Sequence, residues 1–404
     1  MEIVVDVAHY FLIIVMISVA GVWVWLARLM RRSFTKTPLL DEFRDTSHTK
    51  SHVSVILPAR NEEEYIRKCL DSLLDQDYAE YEIIAVDDSS TDKTGDIIAQ
   101  YARKSPRVKH VRAEPKPDGW MGKNWACVQG YAKSTGPLLL FTDADTKHSR
   151  RAISLAVGHL VSSGLDALTA SPRMLCQDFW TRVTLPVMSI FLHTRFSALR
   201  VNDPSSKTGY FFGSFFIMRR EIYDAVGTHK AVRHEAIEDG ALGSRVKEAG
   251  YKMKMVQGDH IIDAVWARDA SSLWNAIKRL IVPLYMHGKL VAAGATTAVA
   301  FLLFLPFPVL AYSALYAVGS HAGPSSAILL FSSLAASLLV CACSAVEAGY
   351  MKIKIWYGGL ASLGGFVMLL GFLSGMIHAG SDSAISWRDR DYSMKDYPRP
   401  STSV

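Results

Sequence analysis

Charge is almost missing from one long stretch of this 404-residue chain: between Leu290 and Gly380 only Glu347, Lys352 and Lys354 carry any. Most of the 44 basic and 38 acidic side chains lie between Arg28 and Lys289. That segregation excludes a uniformly soluble globule and predicts a polar domain joined to membrane spans. Cysteine is scarce too. The five (Cys69, Cys127, Cys176, Cys341, Cys343) are odd in number and never spaced CxxC, which excludes a disulfide framework or a zinc site and suits a reduced, cytoplasmic setting. A strong basic excess is also lacking: the net charge is only +6 and its surplus flanks apolar runs, so no nucleic-acid partner is expected. Half of the residues are apolar, which excludes disorder.

Val7 to Ala27 is apolar except for His9, long enough to cross a hydrocarbon core of about 30 Å as a helix. A cleaved signal peptide is the alternative. It requires basic residues before the run, whereas here Glu2 and Asp6 precede it and Arg28, Arg31, Arg32 and Lys36 follow. The expectation is an N-terminal anchor over residues 1–30 with its start outside and the chain after Arg28 in the cytoplasm of a plasma-membrane protein. Three further spans are expected within 295–378, near Thr296 to Ala317, Ser325 to Val346 and Ile355 to Ile377. The first holds Pro306 and Pro308, tolerable if neighbours satisfy the freed carbonyls. Four crossings put the polar tail, 379–404, outside, while its Arg388, Arg390, Lys395 and Arg399 favour the inside, so the number of crossings stays open. Over 270–290, Leu273, Ile277, Leu280, Ile281 and Leu284 recur at helical spacing beside Lys278 and Arg279, as in an interfacial helix or a buried helix of the polar domain. Phe179 to Leu199 is apolar but carries Arg182, His193 and Arg195, and reads as a surface-seeking helix.

Residues 50–265 alternate two kinds of pattern. Strand-like runs (Val53 to Leu57, Glu82 to Val86, Val108 to Arg112, Leu138 to Phe141) take turns with helical ones (Glu62 to Leu74, Thr94 to Arg103, Lys123 to Lys133, Arg150 to Ser162). This is a βαβ series and predicts an α/β domain with a mainly parallel sheet. In such sheets ligands gather at the carboxyl ends of the strands.

The chemistry-bearing residues fall at those ends. The first strand runs into Pro58-Ala59-Arg60-Asn61-Glu62, the second into Asp87-Asp88-Ser89-Ser90-Thr91-Asp92. A carboxylate there can accept hydrogen bonds from a base or ribose; equally, such residues turn a chain and cap the next helix. The fourth strand ends in Asp143-Ala144-Asp145. Side chains two apart in an extended segment point the same way, so both carboxylates can converge on a hard divalent cation, or merely on solvent. Gly119-Trp120-Met121-Gly122-Lys123 opens a helix where an anion is favoured and Lys123 can face a phosphate, or where the helix is simply capped. Glu238-Asp239-Gly240 opens another; acidic residues suit a helix start, and Asp239 beside a diphosphate would suit a general base.

Taken in order, PARNEE (Pro58 to Glu63), DDSSTD (Asp87 to Asp92), GK (Gly122, Lys123), DAD (Asp143 to Asp145) and EDG (Glu238 to Gly240) resemble family 2 glycosyltransferases of the GT-A fold, from about Val53 to Gly258. The resemblance implies a nucleotide-sugar donor, usually a UDP-sugar, a Mg or Mn ion, and transfer with inversion. Carried over by position, it implies Pro58, Arg60, Glu62 and Asp88 in the nucleotide pocket, Lys123 and Asp143 at the diphosphate or donor, Asp145 as metal ligand and Asp239 as base. The anchor, the GWxGK segment and the C-terminal spans are most similar to the membrane subgroup acting on lipids: ceramide glucosyltransferases, hopanoid-associated enzymes and carotenoid-acid glycosyltransferases. Trp387-Arg388-Asp389-Arg390-Asp391-Tyr392 is similar to a W-K/R-G-R-x-Y ending in the last two groups, with Asp389 in place of Gly; such a tail either folds back over the site, and is then cytoplasmic, or merely flanks the membrane with charge.

One departure stands out. The QxxRW of many polysaccharide synthases and ceramide-type enzymes is here Ala276-Ile277-Lys278-Arg279-Leu280, which keeps Arg279 alone as a diphosphate contact. The expected function is transfer of a sugar to a hydroxyl or carboxyl of a membrane lipid at the cytoplasmic face. Two alternatives stand beside it: a polysaccharide synthase or polyprenyl-phosphate glycosyltransferase, and an inactive membrane scaffold. The oligomeric state, the sugar and the acceptor are not legible.

Overall fold

The structure is a computed structural model that describes residues 2–42, 51–287, 289–319, 323–378, 385–387 and 390–392. It has two compact units. An α/β unit comprises Lys36–Leu175, Phe196–Trp266 and Ser381–Val404; a helical unit comprises Met1–Thr35, Cys176–Arg195 and Ala267–Gly380.

The α/β unit begins with β1 (Val53–Ala59), β2 (Tyr81–Asp87), β3 (Val108–Arg112) and β4 (Leu138–Phe141). It continues with β5 (Thr146–His148), β6 (Ala167–Ser171), β7 (Arg173–Cys176), β8 (Phe216–Arg219), β9 (Met253–Gln257) and β10 (Ile262–Ala267), and a hairpin of β11 (Ile385–Trp387) and β12 (Arg390–Tyr392) belongs to it as well. Seven strands form one sheet in the order β3-β2-β1-β4-β8-β6-β9. All neighbours are parallel except β8, which runs antiparallel to both β4 and β6.

The sheet forms because β1, Val-Ser-Val-Ile-Leu-Pro-Ala, is apolar on both faces and both are covered. Val53, Val55 and Leu57 join a core with Ile66, Leu70 and Leu73 of the helix Ile66–Leu74. Ile56 points the other way, as the period of two demands. There Gly130 of the helix Gly122–Ala132 comes so close that a Cβ would stand 2.9 Å from both Ile56 and Val86. Each such aliphatic burial contributes roughly 1.5–3 kcal/mol. A small second sheet, β5-β10-β7, has no counterpart in the sequence reading; two of its strands, β5 and β7, have only three and four residues and carry too little periodicity. It matters for position: Ala264 of β10 pairs with Thr146, and Val265 N–H donates to the carbonyl of Asp145, fixing the chain after the DAD motif.

In the helical unit the helix Glu2–Lys36 buries Ile13, Met16, Val19, Trp23, Leu26 and Met30, spaced three or four apart, while Val7, Phe11, Ile14 and Trp25 are exposed. Among the described residues, three helices are long and apolar enough to cross a membrane: Val5–Lys36, Pro324–Tyr350 and Ile355–Ile377. Leu290–Phe304 and Pro306–Val318 would make a fourth span bent by 44°. Pro306 has no N–H to give the carbonyl of Leu302 four residues back. The indole of Trp23 gives one instead, at 2.9 Å.

Phe179 to Leu199 departs from expectation. Phe179–Ser189 is not surface-seeking: Thr181, Val183, Thr184, Leu185 and Val187 are buried, and Gly364 of the helix Ala361–His378 lies against the backbone of Val183 and Thr184. Arg182 donates to the carbonyls of Cys176 and Gln177 at the start of this helix, and His193 pairs with Glu347 at 3.1 Å. Charges that seemed to demand water are thus met within the unit. The helix Ala270–His287 buries Leu273, Ala276, Ile277 and Ile281, with Ile277 against Gly371.

Candidate active site

β1, β2 and β4 end side by side, and the motifs that follow them face one another. Arg60, just past β1, donates to the carbonyls of Asp88 (2.7 Å) and Ser89 (2.6 Å) past β2. Asn61 and Ser89 both take positive φ (52° and 54°), the strained region that favours functional turns. The Asn61 side chain accepts from Thr91 N–H, Glu62 N–H donates to Thr94, and Glu63 N–H to Asp92, so the two loops are laced together. Pro58 lies in β1 opposite Val86, and Glu62 is buried beneath the turn.

Asp88 is buried, its side chain only 3% exposed. Arg390 of β12, 302 residues further on, reaches both of its carboxylate oxygens, at 2.5 and 3.2 Å. Burial pushes the Asp88 carboxyl up, against the opposing pull of Arg390 and Arg60. Tyr392, two residues along the same strand, accepts from Gly122 N–H at 3.2 Å.

Lys123, in the first turn of its helix, is held between Asp143 (2.7 Å) and Glu238 (2.6 Å). Burial alone would push its ammonium down, but Asp143, Glu238 and Asp239 outweigh it and hold it well above the usual lysine range. Asp239 opens the helix Glu238–Glu248 and accepts from the N–H groups of Gly213 (2.7 Å) and Gly240 (2.8 Å). Burial first, and Glu238 second, push its carboxyl up to about 7, against Lys123. Gly213 marks where these groups meet: a Cβ there would stand 2.8 Å from Asp239 Oδ2, 2.9 Å from Lys123 Nζ and 3.4 Å from Asp143 Oδ2. Residues 143 and 239 are therefore on one face, at one point. Asp145 is half-buried; it, Asp143 and Glu62 all push up the thiol of the buried Cys69, after burial itself.

The run 54–227 matches the family model described as glycosyl transferase family 2. Residues 54–227 are thus similar to the family 2 glycosyltransferases. A probable glycosyltransferase, YdaM, of Bacillus subtilis is 27% identical over 255 residues, 59% of this chain and 58% of that protein. The 4,4'-diaponeurosporenoate glycosyltransferase of Staphylococcus haemolyticus is 27% identical over 228 residues, 55% of this chain and 58% of that one. The matched region thus spans little more than half the length of these curated relatives. Among solved structures, a mannosyltransferase from Pyrobaculum calidifontis, in complex with GDP-Man and Mn2+, has a TM-score of 0.55 at 19% identity, covering 90% of this chain and 99% of its own. The α/β unit has the GT-A fold of such enzymes.

Of the residues expected from the sequence, Pro58, Arg60, Glu62, Asp88, Asp143 and Asp145 lie at or just past the ends of β1, β2 and β4, Lys123 and Asp239 open helices, and Arg279 stands apart. Arg279 belongs to the helical unit, half-buried on the helix Ala270–His287. Four participants are not among the site residues expected from the sequence. Glu238 was passed over as an ordinary helix-start acid, yet it shares Lys123 with Asp143. Gly213 lies in Tyr-Phe-Phe-Gly-Ser-Phe-Phe, where a lone glycine among aromatics just ahead of β8 was the available signal. Arg390 and Tyr392 belong to the tail motif, for which the sequence leaves open a place over the site or beside the membrane; Arg388 and Asp389 of that motif lie outside the described residues.

A divalent ion can be tested against the donor chemistry. Among the described residues no three His, Cys, Asp or Glu side chains form a cation cage. A Mg-type ion that takes most of its ligands from a diphosphate and water needs only one or two carboxylates.

Proposed function

We propose that this protein is a membrane-bound, inverting glycosyltransferase that passes a sugar from a nucleotide-sugar, a UDP-sugar by expectation, to a hydroxyl or carboxyl of a lipid at the cytoplasmic face of the plasma membrane. The observation that carries this reading is the meeting of Asp239, Lys123 and Asp143 over Gly213 at the carboxyl end of the sheet. The long apolar helices and the carotenoid-acid enzyme among the relatives support a lipid acceptor.

Each residue then has a task. Pro58, Arg60, Glu62 and Asp88 line the nucleotide. Lys123 and Asp143 stand at the diphosphate. Asp145, with Asp143 beside it, would hold a Mg or Mn ion, which when bound offsets charge on the departing diphosphate. Lys123 supplies a fixed positive charge to the same leaving group without reorganisation. Asp239, aimed by two backbone N–H groups, takes the proton from an incoming hydroxyl. Attack from the base side, opposite the leaving group, inverts the anomeric centre.

The test is to incubate membranes holding the protein with radiolabelled UDP-sugars and Mn, and to follow label into organic solvent. Asp239→Asn should lower transfer to a hydroxyl by about 10²- to 10⁴-fold while sparing UDP binding. Label that appears only in a water-soluble polymer would overturn the lipid acceptor.

A further inference from the structure

The pairing of Arg390 with Asp88 goes beyond the motifs of the domain. A buried carboxylate left without a partner is strongly unfavourable, and removal of one member of such a pair typically costs more than the pair itself contributes. Asp88 meets its counter-charge not from its own loop but from β12, near the other end of the chain. The contact is two-pronged, Nη1 to Oδ2 and Nη2 to Oδ1, with a weaker donation from Nη2 to the Asp88 carbonyl at 3.4 Å. Two-pronged guanidinium–carboxylate pairs fix direction as well as charge.

Tyr392 adds a second hold. Residues 390 and 392 alternate onto one face of the strand, so the same short segment reaches Asp88 with one side chain and the first N–H of the helix Gly122–Ala132 with the other. The helix makes room: at Gly122 a Cβ would stand 2.5 Å from Arg390 Nη1, 2.8 Å from Asp88 Oδ2 and 3.1 Å from the Tyr392 hydroxyl. Lys116 stands over the Tyr392 ring at 5.9 Å. Arg390, Arg60 and Lys116 thus surround a carboxylate at the strand end where a nucleotide is read.

We propose that Arg390 is a positioning residue for the nucleotide: it holds the Asp88 carboxylate aimed, so that it can accept from a base or ribose, and Tyr392 holds the hairpin there. Each Asp88 oxygen keeps a second lone pair for the ligand. The pair also offsets a negative charge that would otherwise repel an incoming diphosphate. This inference rests on the nucleotide-sugar reading above.

Titration of the full-length, detergent-solubilised protein with UDP in the presence of Mn, and separately with GDP, tests it. Arg390→Ala should weaken binding of the accepted nucleotide by about tenfold or more. It should raise the donor KM by a similar factor while kcat and the acceptor KM change less, a split that general loosening of the fold does not produce. Arg390→Lys should recover part of the loss, and Tyr392→Phe should show a smaller one. In an Asp88→Asn background the effect of Arg390→Ala should shrink, because no buried charge is left to hold. Unchanged or tighter binding by Arg390→Ala overturns the proposal; tighter binding would mean that the hairpin obstructs the pocket. If Arg390→Ala does not fold, Arg390→Lys decides by the same measurements. Wild-type protein that binds neither nucleotide removes the donor reading and this one together, whereas wild-type binding matched by Arg390→Ala removes only this one.

Discussion

Asp239 sits in surroundings that hold its proton to about pH 7, first through burial and then through Glu238, with Lys123 pulling the other way. A base must be unprotonated to work. With a hydroxyl acceptor, the rate should therefore fall about tenfold per unit as pH drops below 7 and level off above it. A pH series of initial rates checks this, and a flat profile would point to an acceptor that arrives ionised, a carboxylate. Gly213 gives a second residue-scale test. A methyl at this position would press on the far ends of Asp239 and Lys123, side chains that can move, so Gly213→Ala should fold. Displacement of catalytic groups by about 1 Å can cost on the order of 10²-fold in rate, and that is the loss expected in single-turnover assays, with the thermal midpoint little changed.

At the scale of elements, the bent pair Leu290–Phe304 and Pro306–Val318 shows how a proline is absorbed in an apolar unit. The carbonyl freed by Pro306 takes the Trp23 indole, so two distant helices share one hydrogen bond. Trp23→Phe removes the donor and leaves Leu302 unpaired away from water. The expected cost is about 1 kcal/mol, read as a lower midpoint of thermal unfolding in detergent, with UDP affinity unaltered. Glu347 is another polar device among these helices. Its side chain, 4% exposed, takes the Ser189 hydroxyl at 2.8 Å and pairs with His193 at 3.1 Å. Glu347→Ala strands both partners and should destabilise by about 3 kcal/mol or more, checked by the same unfolding measurement.

For the molecule as a whole, the segregation of charge leads to one expectation about behaviour. The protein should remain with membranes through washes at high pH and high salt, which strip peripheral proteins, and should come off only with detergent. Release by salt alone would mean that the apolar helices pack against protein rather than lipid.

Much of this was legible in the residues. β1 to β4 came from period-two and fully apolar runs, because a parallel sheet covered on both faces requires them, and the motif order placed the strand-end carboxylates. What periodicity could not carry was anything decided by a distant partner. The antiparallel insertion of β8, the three-residue strand β5 and the burial of Phe179–Ser189 depend on which surface each element meets, and a short segment has no pattern that names its neighbour. The same limit applies at the site: local sequence determined that Asp88, Lys123, Asp143 and Asp239 would stand at strand or helix ends. Only the tertiary structure decided that Glu238 joins them, that Gly213 leaves the room and that Arg390 neutralises Asp88 from 302 residues away, because charge pairing and close approach act through space and not along the chain.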